Sequence, residues 1–345
     1  MKIYLHTFIT LLLLASCSEQ EKNLTEENSS SVLKGEVVTS LAQYGINMYT
    51  GGIVKHGNSL AIMNYDKTSP VSIVNLSDNT SESWGTAGEN HLLTNLTTDA
   101  QGNFTTTDIQ TESIHEVNPT TLSRGSETIS PTTSPESNET PVAHVVEGKT
   151  LMAAKGHNFI ISTGLYTKGR YRLLNTDTNK ENYFLNYQEH PDYPNLPEFI
   201  KSILYASANI QLRPDEKMFA CTDMYSGLID ICRINQDKIE LVCRHNFYSP
   251  KVYIENGDVA YAKEYGDGFI SLATSNQQIY VLHQGPAYEN KITKNTLLIF
   301  DWQGNLLQNI QMAETLKSIT FDMTDNTLYG ITEKADLVKL IKEKE

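Results

Sequence analysis

The sequence predicts an all-β fold, a six-bladed β-propeller whose ring is closed by an N-terminal strand, and three observations carry that prediction. Short β-branched or aromatic runs bounded by Gly, Asn, Asp and Ser fill the chain, with hardly any stretch of helical periodicity. A unit in which an apolar strand ends in a polar turn and a second apolar strand follows at once recurs six times. The last copy runs out of chain one strand short, and residues 32–40 supply the missing strand.

The N-terminus comes before any blade. Lys2, the apolar run 8–15 and Leu14-Ala15-Ser16-Cys17 read as a signal peptide over residues 1–16. The run is shorter than the roughly 20 apolar residues that a permanent span needs. An ordinary signal peptide and a buried N-terminal strand are the alternatives. Small residues immediately before a cysteine resemble the start of bacterial lipoproteins. That resemblance implies a diacylglyceryl thioether and an N-acyl group on Cys17, and several acyl chains anchor firmly where one does not. The expectation is an outer-membrane lipoprotein, on the periplasmic face or the cell surface, that touches membrane only through lipid on Cys17. Residues 17–31 are polar and acidic and cannot bury a core, so they form a flexible tether. Acids just behind Cys17 also resemble the surface-export signal of Bacteroides-group lipoproteins. The propeller domain is residues 32–345, within the range of one all-β domain.

The repeat units follow in order. They are Val54-Lys55-His56-Gly57-Asn58-Ser59-Leu60, Thr98-Asp99-Ala100-Gln101-Gly102-Asn103-Phe104 and Ala154-Lys155-Gly156-His157-Asn158-Phe159-Ile160, then Leu212-Arg213-Pro214-Asp215-Glu216-Lys217-Met218-Phe219, Thr274-Ser275-Asn276-Gln277-Gln278-Ile279, and Phe321-Asp322-Met323-Thr324-Asp325-Asn326-Thr327-Leu328. Their spacing of roughly 45 to 60 residues is a little above that of common four-stranded blades. Two further strands complete a unit, as at 159–165, 170–175 and 182–187 for the third, or 279–283, 296–302 and 306–312 for the fifth. The sixth offers 317–321, 327–331 and 337–341. The Ser/Thr/Pro-rich stretch 118–141 fits no strand and reads as a loop between the second and third blades. A β-sandwich is the competing architecture. Ring closure is favoured physically because it leaves only short, protected edges.

A net charge of −14 without a basic cluster excludes nucleic acid as a partner, since phosphates require Lys and Arg, and argues against an electrostatic grip on anionic lipid. Gly-x-Ser-x-Gly, the phosphate-binding Gly-Lys-Ser/Thr loop, His-Glu-x-x-His and calcium-loop patterns do not occur. The histidines are scattered singly, without the Cys/His spacing of a metal site, so neither metal nor cofactor is expected.

Several segments together carry a family resemblance: Gly164-Leu165-Tyr166-Thr167-Lys168-Gly169-Arg170-Tyr171, Arg213-Pro214-Asp215, Ile279-Tyr280-Val281-Leu282-His283-Gln284-Gly285, Phe300-Asp301-Trp302-Gln303-Gly304-Asn305 and Thr327-Leu328-Tyr329-Gly330. In order and spacing the C-terminal two thirds resembles a family of Bacteroides-group lipoproteins that carry a TolB-like six-bladed propeller. The resemblance implies a fold and an address. It implies no activity.

Candidate residues come from strands and from long loops. Arg170 and Arg172 alternate with Tyr171, so both guanidiniums are expected on one face, as an anion contact near the axis or as a salt bridge to a neighbouring blade. Phe300, Asp301 and Trp302 read as a strand end whose aromatics pack between blades. The loop from Tyr187 to Glu198 is stiffened by three prolines and carries Tyr187, His190 and Tyr193; it serves recognition or simply caps the ring. In a meander ring, connections between blades share a face with the second-to-third strand turns. Segments 122–148, 187–207, 247–268 and 283–295 therefore lengthen one face, and the ligand contributors expected there are Arg170, Tyr187, His190, Tyr193, His283 and Tyr288. Evenly spaced Cys221, Cys232 and Cys243 are expected as a row across one blade, Cys221 opposite Cys232 and Cys232 opposite Cys243. They are expected as reduced, small apolar packing residues, although an exported chain permits a disulfide. The functional expectation is a membrane-anchored, non-catalytic binding module of the cell envelope for a glycan, a peptide or an envelope protein. The alternative is a metal-dependent propeller hydrolase or lactonase with carboxylates converging from different blades.

Overall fold

The computed structural model describes residues 32–46, 50–64, 70–84, 92–99, 101–122, 124–128, 147–255, 257–262, 268–284 and 295–342. The signal peptide, the tether with Cys17, and Tyr288 lie outside the described residues.

Strand β1 (Leu33–Ser40) comes first in the chain and last in the ring. The first blade is the meander β2 (Thr50–His56), β3 (Ser59–Asn64), β4 (Val71–Asn75) and β5 (Thr80–Trp84), and the second is β6 (Leu93–Thr98), β7 (Phe104–Asp108), β8 (Ser113–Val117) and β9 (Arg124–Thr128). The third blade holds β10 (Thr150–Lys155), β11 (Phe159–Gly164), β12 (Tyr171–Asn175) and β13 (Lys180–Phe184). After helix α1 (Glu198–Leu204) the fourth follows as β14 (Ala208–Leu212), β15 (Met218–Asp223), β16 (Leu228–Asn235) and β17 (Lys238–Asn246). A separate hairpin of β18 (Val252–Glu255) and β19 (Asp258–Tyr261) precedes the fifth blade of β20 (Gly268–Thr274), β21 (Gln278–Gln284), β22 (Thr296–Asp301) and β23 (Leu306–Gln311). The sixth blade is β24 (Leu316–Asp322), β25 (Thr327–Thr332) and β26 (Asp336–Lys342), completed by β1, which pairs antiparallel with β26 from Leu33↔Lys342 to Ser40↔Asp336. The all-β, six-bladed ring and its closure by an N-terminal strand agree with the sequence.

Each blade interface has its own apolar cluster. Leu282 and Leu297 meet Met312 and Ile319 between blades five and six, and Ile231 and Met218 meet Phe300 and Trp302 between four and five. Ile161 and Tyr171 meet Phe219 and Cys232 between three and four, while Leu60 and Ile62 meet Tyr329 and Leu337 across the closure. Val54 and Trp84 meet Leu96 and Phe104 between one and two. Between two and three the cluster shrinks to Ile114, Ala153, Ile160 and Leu174, and polar bonds compensate: Thr94 Oγ1 donates to Leu151 O (2.7 Å) and Thr107 Oγ1 accepts from Ala153 N (3.1 Å).

The innermost strands β2, β6, β10, β14, β20 and β24 form the wall of the axis. All but β14 carry a register break against their second strand, as between Thr94 and Leu96. The residue skipped there in β6, Asn95, sits at φ 48° and turns its amide inward, donating to Ala153 O (2.7 Å) and Ile210 O (3.3 Å). A bulge re-aims one side chain toward the axis, and here it ties three blades together.

Three expectations need correction. Stretch 118–141 contains β9, because Arg124–Thr128 pairs with β8 as the fourth strand of its blade despite its Ser/Thr composition. Segments expected as plain loops hold α1 and the β18–β19 hairpin. In the fourth blade Cys221 lies opposite Asp230, and Cys232 opposite Phe219 and Leu241. The wider turn after Asp223 moves the first register by two, and a turn at Gln236-Asp237, one residue earlier than expected, moves the second by two. All three cysteines are buried, and none is joined to another in a disulfide.

Candidate functional site

At five of the six hinges between first and second strands the repeat unit presents equivalent residues to the axis. Lys55, Thr98, Leu212, Thr274 and Phe321 hold the same register position, opposite Leu60, Phe104, Phe219, Ile279 and Leu328. Together with their neighbours they line a cavity of about 150 Å³ on the short-turn side of the ring. Lys155 holds the equivalent place in the third blade but turns outward to Glu116 (2.9 Å) of the second. The wall is apolar at Ile53, Val54, Leu272, Ala273 and Ile319, with His56, Asp99, Arg213, Pro214, Glu216 and Met323 at its rim.

Most of the charge at this mouth is neutralised in place. Lys55 Nζ is bound by Asp322 Oδ2 (2.5 Å) and Gly57 O (2.6 Å) and lies 4.4 Å from the Tyr329 ring centroid. Burial raises the Asp322 carboxyl, but Lys55 and the Thr324 amide and hydroxyl outweigh it and hold the pKa below the usual carboxylate value. Arg213 grips Asp215 at two points, 2.6 Å each, and stacks 5.5 Å from Trp302. The Trp302 indole donates to Ser275 O (3.0 Å), so that aromatic pair packs between blades. Asp99 accepts the amides of Gln101 (2.9 Å) and Asn103 (2.8 Å) within its own turn. The His56 ring lies flat against Gly102, where an added Cβ would stand 2.6 Å from it and the φ of +82° already requires glycine.

The opposite face carries the long connections, and they fold into a cap. Residues 185–207 and the β18–β19 hairpin share an apolar cluster of Tyr187, Leu204, Tyr205, Leu228 and Val252. Tyr261 donates to Ile203 O and Leu204 O at the end of α1 (3.2 and 3.0 Å), and Lys201 is held by Glu189 and Glu198.

The residues expected to contact a ligand sit inside this cap or beneath it. Tyr187 is buried and donates to Gly164 O (3.2 Å). His190 is buried; its Nδ1 accepts from Asp192 N (3.2 Å), which leaves Nε2 to donate to Pro250 O (2.8 Å). Tyr193 donates to Val252 O (3.3 Å). His283 contacts the Tyr248 hydroxyl (3.0 Å), and burial lowers its pKa to about 4, so its ring is neutral. Arg170 is fully buried between the third and fourth blades, its Nε 2.9 Å from Tyr171 Oη and 3.2 Å from Asp230 Oδ2. It precedes β12, so it does not alternate with Tyr171 as expected, and both reach Asp230; Arg172 instead pairs with Glu181 (3.4 Å) in its own blade. Tyr187 and His190 are thus packed inside the cap, Arg170 is buried between blades three and four, and His283 is buried beside Tyr248 and Phe269, none of them on an open surface.

The cavity residues were present in the sequence as turn positions of the repeat, Lys55-His56, Asp99, Arg213-Pro214 and Glu216. Their convergence required the ring. Among the described residues no three His, Cys, Asp or Glu side chains are grouped to hold a metal, and no helix is long and apolar enough to cross a membrane.

Residues 99–324 match the family described as TolB-like 6-blade propeller-like. Curated proteins give no match. Solved structures with a similar fold include a streptogramin B lyase, 12% identical over 91% of this chain and 98% of that one with a TM-score of 0.46. The virginiamycin B lyase of Staphylococcus aureus is 13% identical over 89% and 99% of the two chains, with a TM-score of 0.49. U3-55K is 11% identical over 84% and 79%, also at 0.49.

Proposed function

This chain belongs to the TolB-like six-bladed propellers, and on that premise we propose that it is a membrane-anchored, non-catalytic binding module of the cell envelope whose axial cavity receives one side chain of a peptide or protein partner. The observation that carries the reading is the cavity itself. At about 150 Å³ it is well below the roughly 300–1,000 Å³ of sites that enclose whole small molecules and comparable to one that holds a benzene ring. An apolar wall framed by Thr98 and His56, with part-exposed Pro214 and exposed Met323 beside it, fits a side-chain knob whose backbone lies across the turns. Charges neutralised at Lys55, Arg213 and Asp99 favour an uncharged or aromatic knob there, with Glu216, whose Oε2 accepts from His157 N, as the carboxylate that keeps an open oxygen. The lipidated Cys17 supplies the membrane attachment in this reading, which rests on the sequence alone.

The test is a native pull-down from solubilised envelope with the wild-type protein and with Thr98→Arg, which fills the mouth from a part-exposed rim position. The partner recovered by wild type should be lost, with a drop of at least about tenfold in affinity, while the melting temperature holds. Undiminished binding by the stable variant removes the axial cavity from consideration.

A further inference from the structure

We infer that Arg170 anchors an occluded carboxylate-binding site between the third and fourth blades, beneath the cap. The site is separate from the axial cavity and lies toward the opposite mouth. Its guanidinium is fully buried and uses only Nε, toward Tyr171 Oη and Asp230, while Nη1 and Nη2 have no partner among the described residues. Asp230 is already engaged elsewhere: Arg244 Nε and Nη2 bind its two oxygens at 2.6 and 2.8 Å, and Tyr171 donates to it at 2.7 Å. Arg170, fully buried, and Arg244, part-exposed, therefore share Asp230, and Asp223 is the other carboxylate that acts on Arg170, so one negative charge can be added while Asp223 holds its proton.

The groups around the open edge of Arg170 are unfinished as well. Tyr205, whose ring lies 5.3 Å from the guanidinium, has a buried hydroxyl without a partner, and so does Thr163, the register partner of Tyr171. Asp223 Oδ2 is buried and unpartnered too, although Oδ1 accepts from Tyr225 N (2.9 Å). A buried donor left unmade is costly, and such groups concentrated at one interface call for an explanation. A planar monoanion supplies it: two oxygens match the paired Nη donors of a guanidinium, and the hydroxyl of Tyr205 completes its shell. A dianion such as phosphate would bring one charge too many. Asp223 then stands neutral and donates to the bound carboxylate, in keeping with burial having raised its pKa to about 6 against the pull of Arg170. Because the site is sealed, a ligand enters only when residues 185–207, which carry Tyr187 and Tyr205, lift from the ring. The competing arrangement is that ionised Asp223 is itself the counterion of Arg170, through water.

Acetate and propionate, against chloride and sulfate at equal ionic strength, are the probes for the full mature chain, read by calorimetric titration and melting temperature at pH 5.5 and 7.5. The expected result is saturable binding of both carboxylates, tighter at pH 5.5, with no saturable response to chloride or sulfate. Arg170→Gln should abolish it. Should that variant not fold, Tyr205→Phe, which removes only an unpaired hydroxyl, should weaken binding at least about threefold, and Asp223→Asn should abolish the preference for low pH. Failure of both carboxylates to bind the wild-type chain at either pH, equal binding of sulfate, or unchanged binding in both of these conservative variants overturns the proposal.

Discussion

Asp223 and His283, both buried near the long-loop face, titrate against each other. Burial raises Asp223 from 3.8 to about 6, so the folded state holds a proton there that the unfolded chain has lost. The stability this contributes is fully present below pH 3.8 and is lost as pH rises through about 6. Burial lowers His283 from 6.5 to about 4, so its contribution has the opposite sign: present above 6.5, lost as pH falls through about 4. Each is worth at most about 3 kcal/mol, over nearly the same window. The wild-type unfolding free energy should be nearly flat between pH 4 and 6.5 as far as these two groups decide it. Asp223→Asn should leave a slope that rises with pH, and His283→Gln one that falls. Urea unfolding at pH 4.5, 5.5 and 6.5 reads the difference. Parallel profiles for the two variants would show that the two burials do not act as assigned. Neither residue's titration was legible in the sequence, because burial by the cap and by Phe269 is a property of contacts made across more than one segment.

At the scale of elements, β1 is the least ordinary strand of the ring, since it completes the last blade from the opposite end of the chain. It covers β26 through a ladder from Leu33 to Ser40, buries Leu33 against Met312 and Val338, and accepts Ala313 N at Leu33 O (3.0 Å). A chain that begins after Ser40 exposes β26 as an edge and forfeits these contacts, for a loss of about 3 kcal/mol or more. The check is the denaturant midpoint of that truncation against the full domain, with aggregation as a second readout. An unchanged midpoint would mean that the ring does not depend on its closure. The cysteines belong to this scale too. Their even spacing was visible, but their register depended on the width of the turn after Asp223 and on a turn at Gln236-Asp237 one residue earlier than expected, neither of which has a distinct sequence mark.

For the whole molecule, a formal charge of −14 and a ring whose loops form a cap at one mouth and a small cavity at the other describe a body that anionic lipid repels. In the proposed reading, membrane association then rests on Cys17. Cys17→Ser should move the protein from the outer-membrane fraction to the soluble periplasmic one without changing its melting temperature, and the wild type should take up a labelled acyl chain. Continued membrane fractionation of the unlabelled variant would point to a second attachment. The site proposals divide along the same axis, a side-chain cavity at the short-turn mouth and an occluded carboxylate site under the cap, so their tests fail independently.

The class of fold, the number of blades and the strand that closes them were all legible in the amino-acid order. Those follow from local alternation and from a unit repeated along the chain, and a repeat needs no knowledge of distant contacts to be seen. The amino-acid order also named Arg170, Tyr187, His190, Tyr193 and His283 through residue type and loop length, yet loop length does not say whether a tyrosine faces water or its neighbour. Contacts made in the folded chain commit Tyr187, His190 and Tyr193 to backbone carbonyls and His283 to the Tyr248 hydroxyl. The tertiary structure alone brought Lys55, Thr98, Leu212, Thr274 and Phe321 around one cavity. Residues up to about 270 positions apart become neighbours there because equivalent positions of successive blades converge on one axis, a rotation that is written in no single segment.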